Sequence, residues 1–235
     1  MPLNLLEPSP PGIVSLPVRE TVLYLVELFP SIQGESSTSG LPTFFIRLSG
    51  CNLRCRWCDT PYSFGRGAAT SIDAIIEQLH QSGLWHVCVT GGEPLLQQSV
   101  YPLMKELCDK GFCVSLETGG SLSTEAVDAR VRVILDLKCP GSKMSHHNLW
   151  DNVDRLRKSD EVKFVIANRD DYDWALSAIE THQLFERAGE VLFSPVHGEL
   201  CPKELVSWMV QDRLSRARLN LQLHKYVWSP ETRGV

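Results

Sequence analysis

The chain has 235 residues, 43% hydrophobic and 22% charged, which is enough apolar content for a full core and too much for a disordered or fibrous chain. A net charge of −5 leaves no electrostatic footprint for nucleic acid or an anionic membrane, and no apolar run approaches the roughly 18 residues of a membrane span. The expected partner is a small molecule, with no nucleic acid and no membrane.

Residues 1–20, rich in proline, read as a flexible N-terminal tail ahead of one domain over residues 21–235. The tail carries Glu7 and the basic Arg19, without the basic start and apolar middle of a secretory signal. A cytoplasmic location is therefore expected, with the eight cysteines reduced. Cys88, Cys108, Cys113, Cys139 and Cys201 read as small apolar packing residues.

Residues 24–29 (YLVELF) are predicted as the first strand, followed by Ser31-Ile32-Gln33-Gly34-Glu35 and a small-residue loop to Gly40. A second strand spans residues 44–48 (FFIRL) and contains Arg47. A guanidinium in an apolar strand is costly to bury unpaired. Its partner is either an internal acid, Glu35 or Glu117, or a substrate carboxylate gripped by the planar fork; the residues alone leave both open.

Ser71 caps a predicted helix to about residue 81, whose Ile72, Ile75, Ile76 and Leu79 share one face. The strand 85–89 ends in Thr90-Gly91-Gly92-Glu93-Pro94, and a helix over about 96–110 follows. The strand 112–116 ends at Glu117. A helix near 123–129 leads to the strand 131–135, which ends in Asp136-Leu137-Lys138. Helices over about 148–158, 171–185 and 202–217 alternate with strands 162–166, 190–193 and 219–223. The last two strands end in Ser194-Pro195-Val196-His197 and in His224-Lys225.

Strand–helix alternation of this kind predicts a parallel sheet covered by helices, and about six units are too few for a closed eight-fold barrel. The expected fold is α/β, a partial (βα)6-type barrel related to the TIM barrel; an open doubly-wound sheet is second, since no G-x-G-x-x-G follows a strand. Polar and glycine residues gather just after the strands, which places them together at the C-terminal mouth of such a barrel.

Between the second strand and Ser71 lies Gly50 to Thr60, with Cys51, Cys55 and Cys58 in a C-x3-C-x2-C spacing. Three thiolates can hold one metal centre and leave one position open, as a reactive iron–sulfur cluster does. A structural zinc site is the rival, but no second C-x2-C or H-x3-H follows to complete it.

The C-x3-C-x2-C loop together with the downstream G-G-E-P resembles the radical S-adenosylmethionine superfamily. That resemblance implies a [4Fe–4S] cluster on the three cysteines, S-adenosylmethionine on the open iron, and cleavage to methionine and a 5′-deoxyadenosyl radical. Here Glu93 would pair with the cofactor's ammonium, beside a backbone bare of side chains at Gly91-Gly92. Five motifs, S-I-Q-G-E (31–35), F-I-R-L-S-G-C-N-L-R-C-R-W-C-D-T (45–60), T-G-G-E-P (90–94), D-L-K-C-P (136–140) and L-Q-L-H-K (221–225), further resemble the 7-carboxy-7-deazaguanine synthase family. The resemblance implies a lyase of queuosine biosynthesis that contracts the ring of 6-carboxy-5,6,7,8-tetrahydropterin, loses ammonia and regenerates S-adenosylmethionine. A reduced βα barrel, a homodimer, Mg2+ and a flavodoxin-like or other electron donor come with it.

Carried to these positions, the resemblance implies that Ile32, Gln33, Gly34, Thr90 and His224 contact substrate and that Arg47 grips its carboxylate. Thr60 would bind Mg2+, and Gly92, Glu93, Asp136, Lys138, Ser194, Pro195, Val196 and His197 would surround S-adenosylmethionine. Because the radical is carried by the cofactor, no catalytic side chain is assigned. Ser36 stands where glycine is expected, and Ser194-Pro195 where Gln-Pro is also familiar. The rival functions are another radical enzyme, such as a glycyl-radical activase, and a zinc-binding module.

Overall fold

A computed structural model describes residues 21–235. The expected tail, 1–20, lies outside the described residues. In chain order the elements are β1 (Val22–Ile32), β2 (Pro42–Leu48), β3 (Ala68–Ser71), α1 (Ile72–Ser82), β4 (His86–Gly91), α2 (Val100–Asp109), β5 (Cys113–Thr118) and β6 (Arg132–Asp136). Then come α3 (Asp151–Asp154), β7 (Glu161–Ile166), α4 (Arg169–Thr181), α5 (Leu184–Arg187), β8 (Glu190–Pro195), α6 (Pro202–Gln211), β9 (Ala217–Leu219) and α7 (His224–Val227).

Among the described residues the strands form one nine-stranded sheet in the order β3-β1-β2-β4-β5-β6-β7-β8-β9. From β2 through β9 every neighbouring pair is parallel; β1 runs antiparallel to both β2 and β3. The sheet does not close, so the architecture is the expected partial barrel. Alternation along each strand sends one set of side chains outward to the helices. Val162, Phe164 and Ile166 of β7 join a core that runs from Leu23 to Met209 and takes in the Ile72, Ile75, Ile76 and Leu79 face of α1. The cap of α1 is as expected, with Ala74 N donating to Ser71 Oγ at 3.2 Å.

Two expected helices are lost or cut to one turn, the one expected over 202–217 ends at Gln211, and the one over 171–185 is interrupted after Thr181. Residues 123–129 form turns, because Ser123 Oγ and Asp128 Oδ1 accept the N–H groups of Glu125 and Arg130. The helix expected over 148–158 shrinks to the single turn α3. Asn148 instead brackets Lys138, accepting from its N–H and donating to its carbonyl, and the Asn152 amide donates to the carbonyl of Leu122 at 2.8 Å. At the chain's end the last strand falls earlier, at β9, and residues 224–227 turn as α7. Trp85 precedes β4 and is 55% exposed, and its indole N–H meets Cys113 Sγ, so Cys113 lies at the surface, as does Cys201, rather than in the core.

Candidate active site

A cavity of about 710 Å3 opens at the C-terminal ends of the parallel strands. It gathers the expected residues Ile32, Gln33 and Gly34 from the end of β1, Arg47 from β2, the three cysteines and Thr60 from the loop, and Thr90 and Gly92 from the end of β4. Asp136 and Lys138 join from β6, Val196 and His197 from β8, and His224 from α7. Three expected contacts do not line it. Ser194 is 1% exposed and accepts from Asn220 Nδ2 at 2.8 Å, while Pro195 faces a separate cleft with Leu200 and Tyr226.

Glu93 is the third. Its carboxylate is fully buried and accepts from Leu95 N–H, Thr118 Oγ1 and Gly119 N–H at 2.8–3.1 Å. Burial pushes it above its ordinary pKa even with those donors in place. It therefore ties the glycine loop to the end of β5.

The cysteine loop is anchored at both ends. Gly50 N–H donates to Ser63 O at 2.7 Å, and Gly50 O accepts from Glu93 N–H at 2.8 Å. A Cβ on Gly92 would fall 2.2 Å from Gly50 O, so the bare backbone there serves loop-to-loop contact. Arg56 forks onto Glu199 at 2.9 and 2.7 Å, joining the loop to the segment after β8. Burial raises the pKa of Cys51 and Cys55, while Leu53 N–H donates to Cys51 Sγ at 3.4 Å and so favours its thiolate.

Among the described residues, no group of three His, Cys, Asp or Glu is placed to hold a single metal ion. The three thiols lining one cavity are a donor set that fits a four-iron cluster, which takes one thiolate per iron. Asp136 Oδ1 is buried in the cavity wall without a partner among the described residues, an acceptor suited to a ligand's N–H or O–H.

Arg47 has a partner different from those expected. A β-bulge in β1 sets Glu27 directly opposite it, and Arg47 Nε donates to Glu27 Oε1 at 2.6 Å. Glu35 and Glu117 are engaged elsewhere. Burial works against the Arg47 charge, but Tyr62 and Glu27 more than offset it and raise its pKa. Nη1 and Nη2 make no hydrogen bond among the described residues, so the two-pronged end of the fork remains free toward the cavity.

Opposite Arg47, Thr90 Oγ1 donates to Glu117 Oε2 at 2.9 Å and Gln33 Nε2 to Glu117 Oε1 at 3.3 Å. The His224 ring lies over Gly34, where an added Cβ would fall 2.2 Å from Nδ1. Burial lowers the His224 pKa, keeping the ring neutral near pH 7. Thr60 O accepts from Ser63 N and Oγ, which fixes its backbone, while its hydroxyl makes only a 3.9 Å contact with Cys58 Sγ.

Sequence reasoning missed a buried charge network. Lys163 Nζ lies 2.8 Å from Glu35 Oε2 and 3.3 Å from Asp136 Oδ2, and Lys138 Nζ lies 3.1 Å from the same Asp136 oxygen. Asp59 pairs with Lys225 at 2.9 Å; burial opposes its ionisation, yet Lys225 outweighs this and holds the carboxyl at about 2. Lys163 carried the signal that marked Arg47, a lone charge in an apolar strand. Glu27 carried it too.

Comparison with known proteins agrees with this geometry. The family model described as the radical SAM superfamily matches residues 45–183, more than half of the chain. A 7-carboxy-7-deazaguanine synthase of Chlorobaculum tepidum is 44% identical over 92% of this chain and 99% of its own length. One from Koribacter versatilis is 40% identical over 91% of this chain and 100% of its own. The crystal structure of QueE from Escherichia coli superposes with a TM-score of 0.72 over 86% of this chain and 95% of that one, and at 22% identity this shows a shared fold. By matched motifs, length and fold, the chain belongs to the 7-carboxy-7-deazaguanine synthase family of the radical SAM superfamily.

Proposed function

We propose that this chain is a radical S-adenosylmethionine lyase of queuosine biosynthesis. It contracts the ring of 6-carboxy-5,6,7,8-tetrahydropterin to 7-carboxy-7-deazaguanine and releases ammonia. The observation that carries this reading is the meeting, in one cavity, of three cluster-type thiols and an arginine with two uncommitted terminal nitrogens. The product is the substrate less one ammonia, so no net oxidant is needed and the cofactor can be returned at each turnover.

When bound, the [4Fe–4S] cluster and S-adenosylmethionine supply a 5′-deoxyadenosyl radical. The chain supplies orientation. Cys51, Cys55 and Cys58 would hold the cluster, and Gly92, Asp136, Lys138, Val196 and His197 would flank the cofactor. Ile32, Gln33, Gly34, Thr90 and His224 hold the pterin, and Arg47 takes its carboxylate through Nη1 and Nη2. Thr60, whose hydroxyl is the neutral oxygen of the loop, would hold Mg2+, a hard cation that accepts such a ligand. Arg47 would fix the carboxylate and orient the adjacent C6–H bond for abstraction.

The enzyme acts in the cytoplasm as a homodimer and takes one electron from a flavodoxin-like or similar donor. Anaerobic reconstitution with iron and sulfide, followed by reductant, S-adenosylmethionine, Mg2+ and the tetrahydropterin, should give the deazaguanine and ammonia. Cofactor cleavage with no change in the pterin would overturn the assignment.

A further inference from the structure

Lys163 sits midway along β7, paired in register with Asp136 of β6, and points to the cavity while its strand neighbours Val162 and Phe164 are buried in the core. Its ammonium spans two acids from different parts of the site. Glu35 follows the Ile32-Gln33-Gly34 segment proposed for the pterin, and Asp136 belongs to the segment proposed for the cofactor. For stability alone, such a cluster gains little over apolar residues of equal volume. We infer that Lys163 is a positioning residue shared by the two subsites, one ammonium holding Glu35 in place on the pterin side and Asp136 on the cofactor side. This inference rests on the function proposed above.

The two acids depend on it unequally. Lys163 is the only cation within ion-pair distance of Glu35 among the described residues, with Gln222 Nε2 its other side-chain donor at 2.9 Å. Asp136 also has Lys138. Burial opposes the charge on both acids, and Lys163 is the main influence that restores it for Glu35, Lys138 for Asp136. Removing the Lys163 ammonium leaves Glu35 as an uncompensated buried carboxylate, free to protonate or turn away, whereas Asp136 keeps a partner. Pterin binding should therefore suffer more than cofactor binding.

The test measures binding by calorimetry on the cluster-loaded protein without reductant, so that no turnover occurs. Lys163→Met should raise the Kd for the tetrahydropterin about 10- to 100-fold, the range for groups that orient a ligand-binding side chain. The Kd for S-adenosylmethionine should rise less, with iron content unchanged. Lys163→Gln, which keeps a donor without the charge, should give the same asymmetry and serves if the methionine variant does not fold. Adding Glu35→Gln to Lys163→Met should recover part of the pterin affinity, because a neutral amide needs no ammonium. Equal losses for both ligands with no recovery in the double variant, or no change in either Kd, would overturn the inference. A wild-type protein that binds S-adenosylmethionine but not the pterin would count instead against the proposed function.

Discussion

At the scale of single residues, the proposed specificity rests on Arg47 and His224. Arg47 is oriented by Glu27 and by stacking over the Phe29 ring, so its free edge is preorganised at little entropic cost. Arg47→Ala should weaken pterin binding by on the order of 2–5 kcal/mol while leaving iron content and visible absorption intact. Loss of the cluster in that variant would mean that Arg47 supports the loop instead. His224 has a pKa lowered from 6.5 by burial, so the unfolded chain binds its proton more readily than the folded one. Its contribution to stability is complete above pH 6.5 and is lost as pH falls from there through the lower folded-state value. Thermal melts of the loaded protein from about pH 7.5 to about pH 5.5 should fall less steeply for His224→Gln than for wild type. Parallel curves would contradict this. The cavity-lining residues were legible from their place after apolar strands. The buried hydrogen bonds of Glu93 were not legible, because a carboxylate beside a glycine pair looks the same in sequence whether it faces a cavity or ties a loop.

At the scale of elements, strands were easier to read than helices. A buried parallel strand is an apolar run with little competition, whereas residues 123–129 and 148–158 are rich in side chains that hydrogen-bond the backbone themselves. Asn152 shows the consequence. It is 1% exposed, and its amide serves Thr124 N, Thr124 Oγ1 and Leu122 O, bracing the β5–β6 connection where no helix stands. Asn152→Ala should cost about 1–3 kcal/mol of stability through the donors and acceptor left unpaired. Denaturant melts beside turnover measurements should show stability falling while KM for the pterin holds. A rise in KM at constant stability would place Asn152 in the site's machinery.

At the scale of the whole molecule, the open sheet explains how one mouth receives two ligands. Seven neighbouring parallel strands, β2 and β4 through β9, point their C-terminal ends to the same side, while the antiparallel β1 ends beside the start of β2, so residues 32–35 line the cavity from the side where the parallel strands begin. Strand order and the extra antiparallel pair were not legible, because they are set by register and by a bulge that no local pattern announces. The motif spacing was legible because loops at strand ends tolerate little variation when they must meet. The proposed chemistry makes one demand that no rival reading shares: hydrogen leaves C6 of the pterin for the cofactor, and the cofactor is then rebuilt. Turnover of C6-deuterated 6-carboxy-5,6,7,8-tetrahydropterin by the reconstituted protein, with mass spectrometry of the recovered S-adenosylmethionine, tests that demand directly. Deuterium in the recovered cofactor, with the deazaguanine and ammonia formed in equal amounts, is the expected result. Product formed with an unlabelled cofactor, or cofactor cleaved in step with turnover and never returned, would contradict the account.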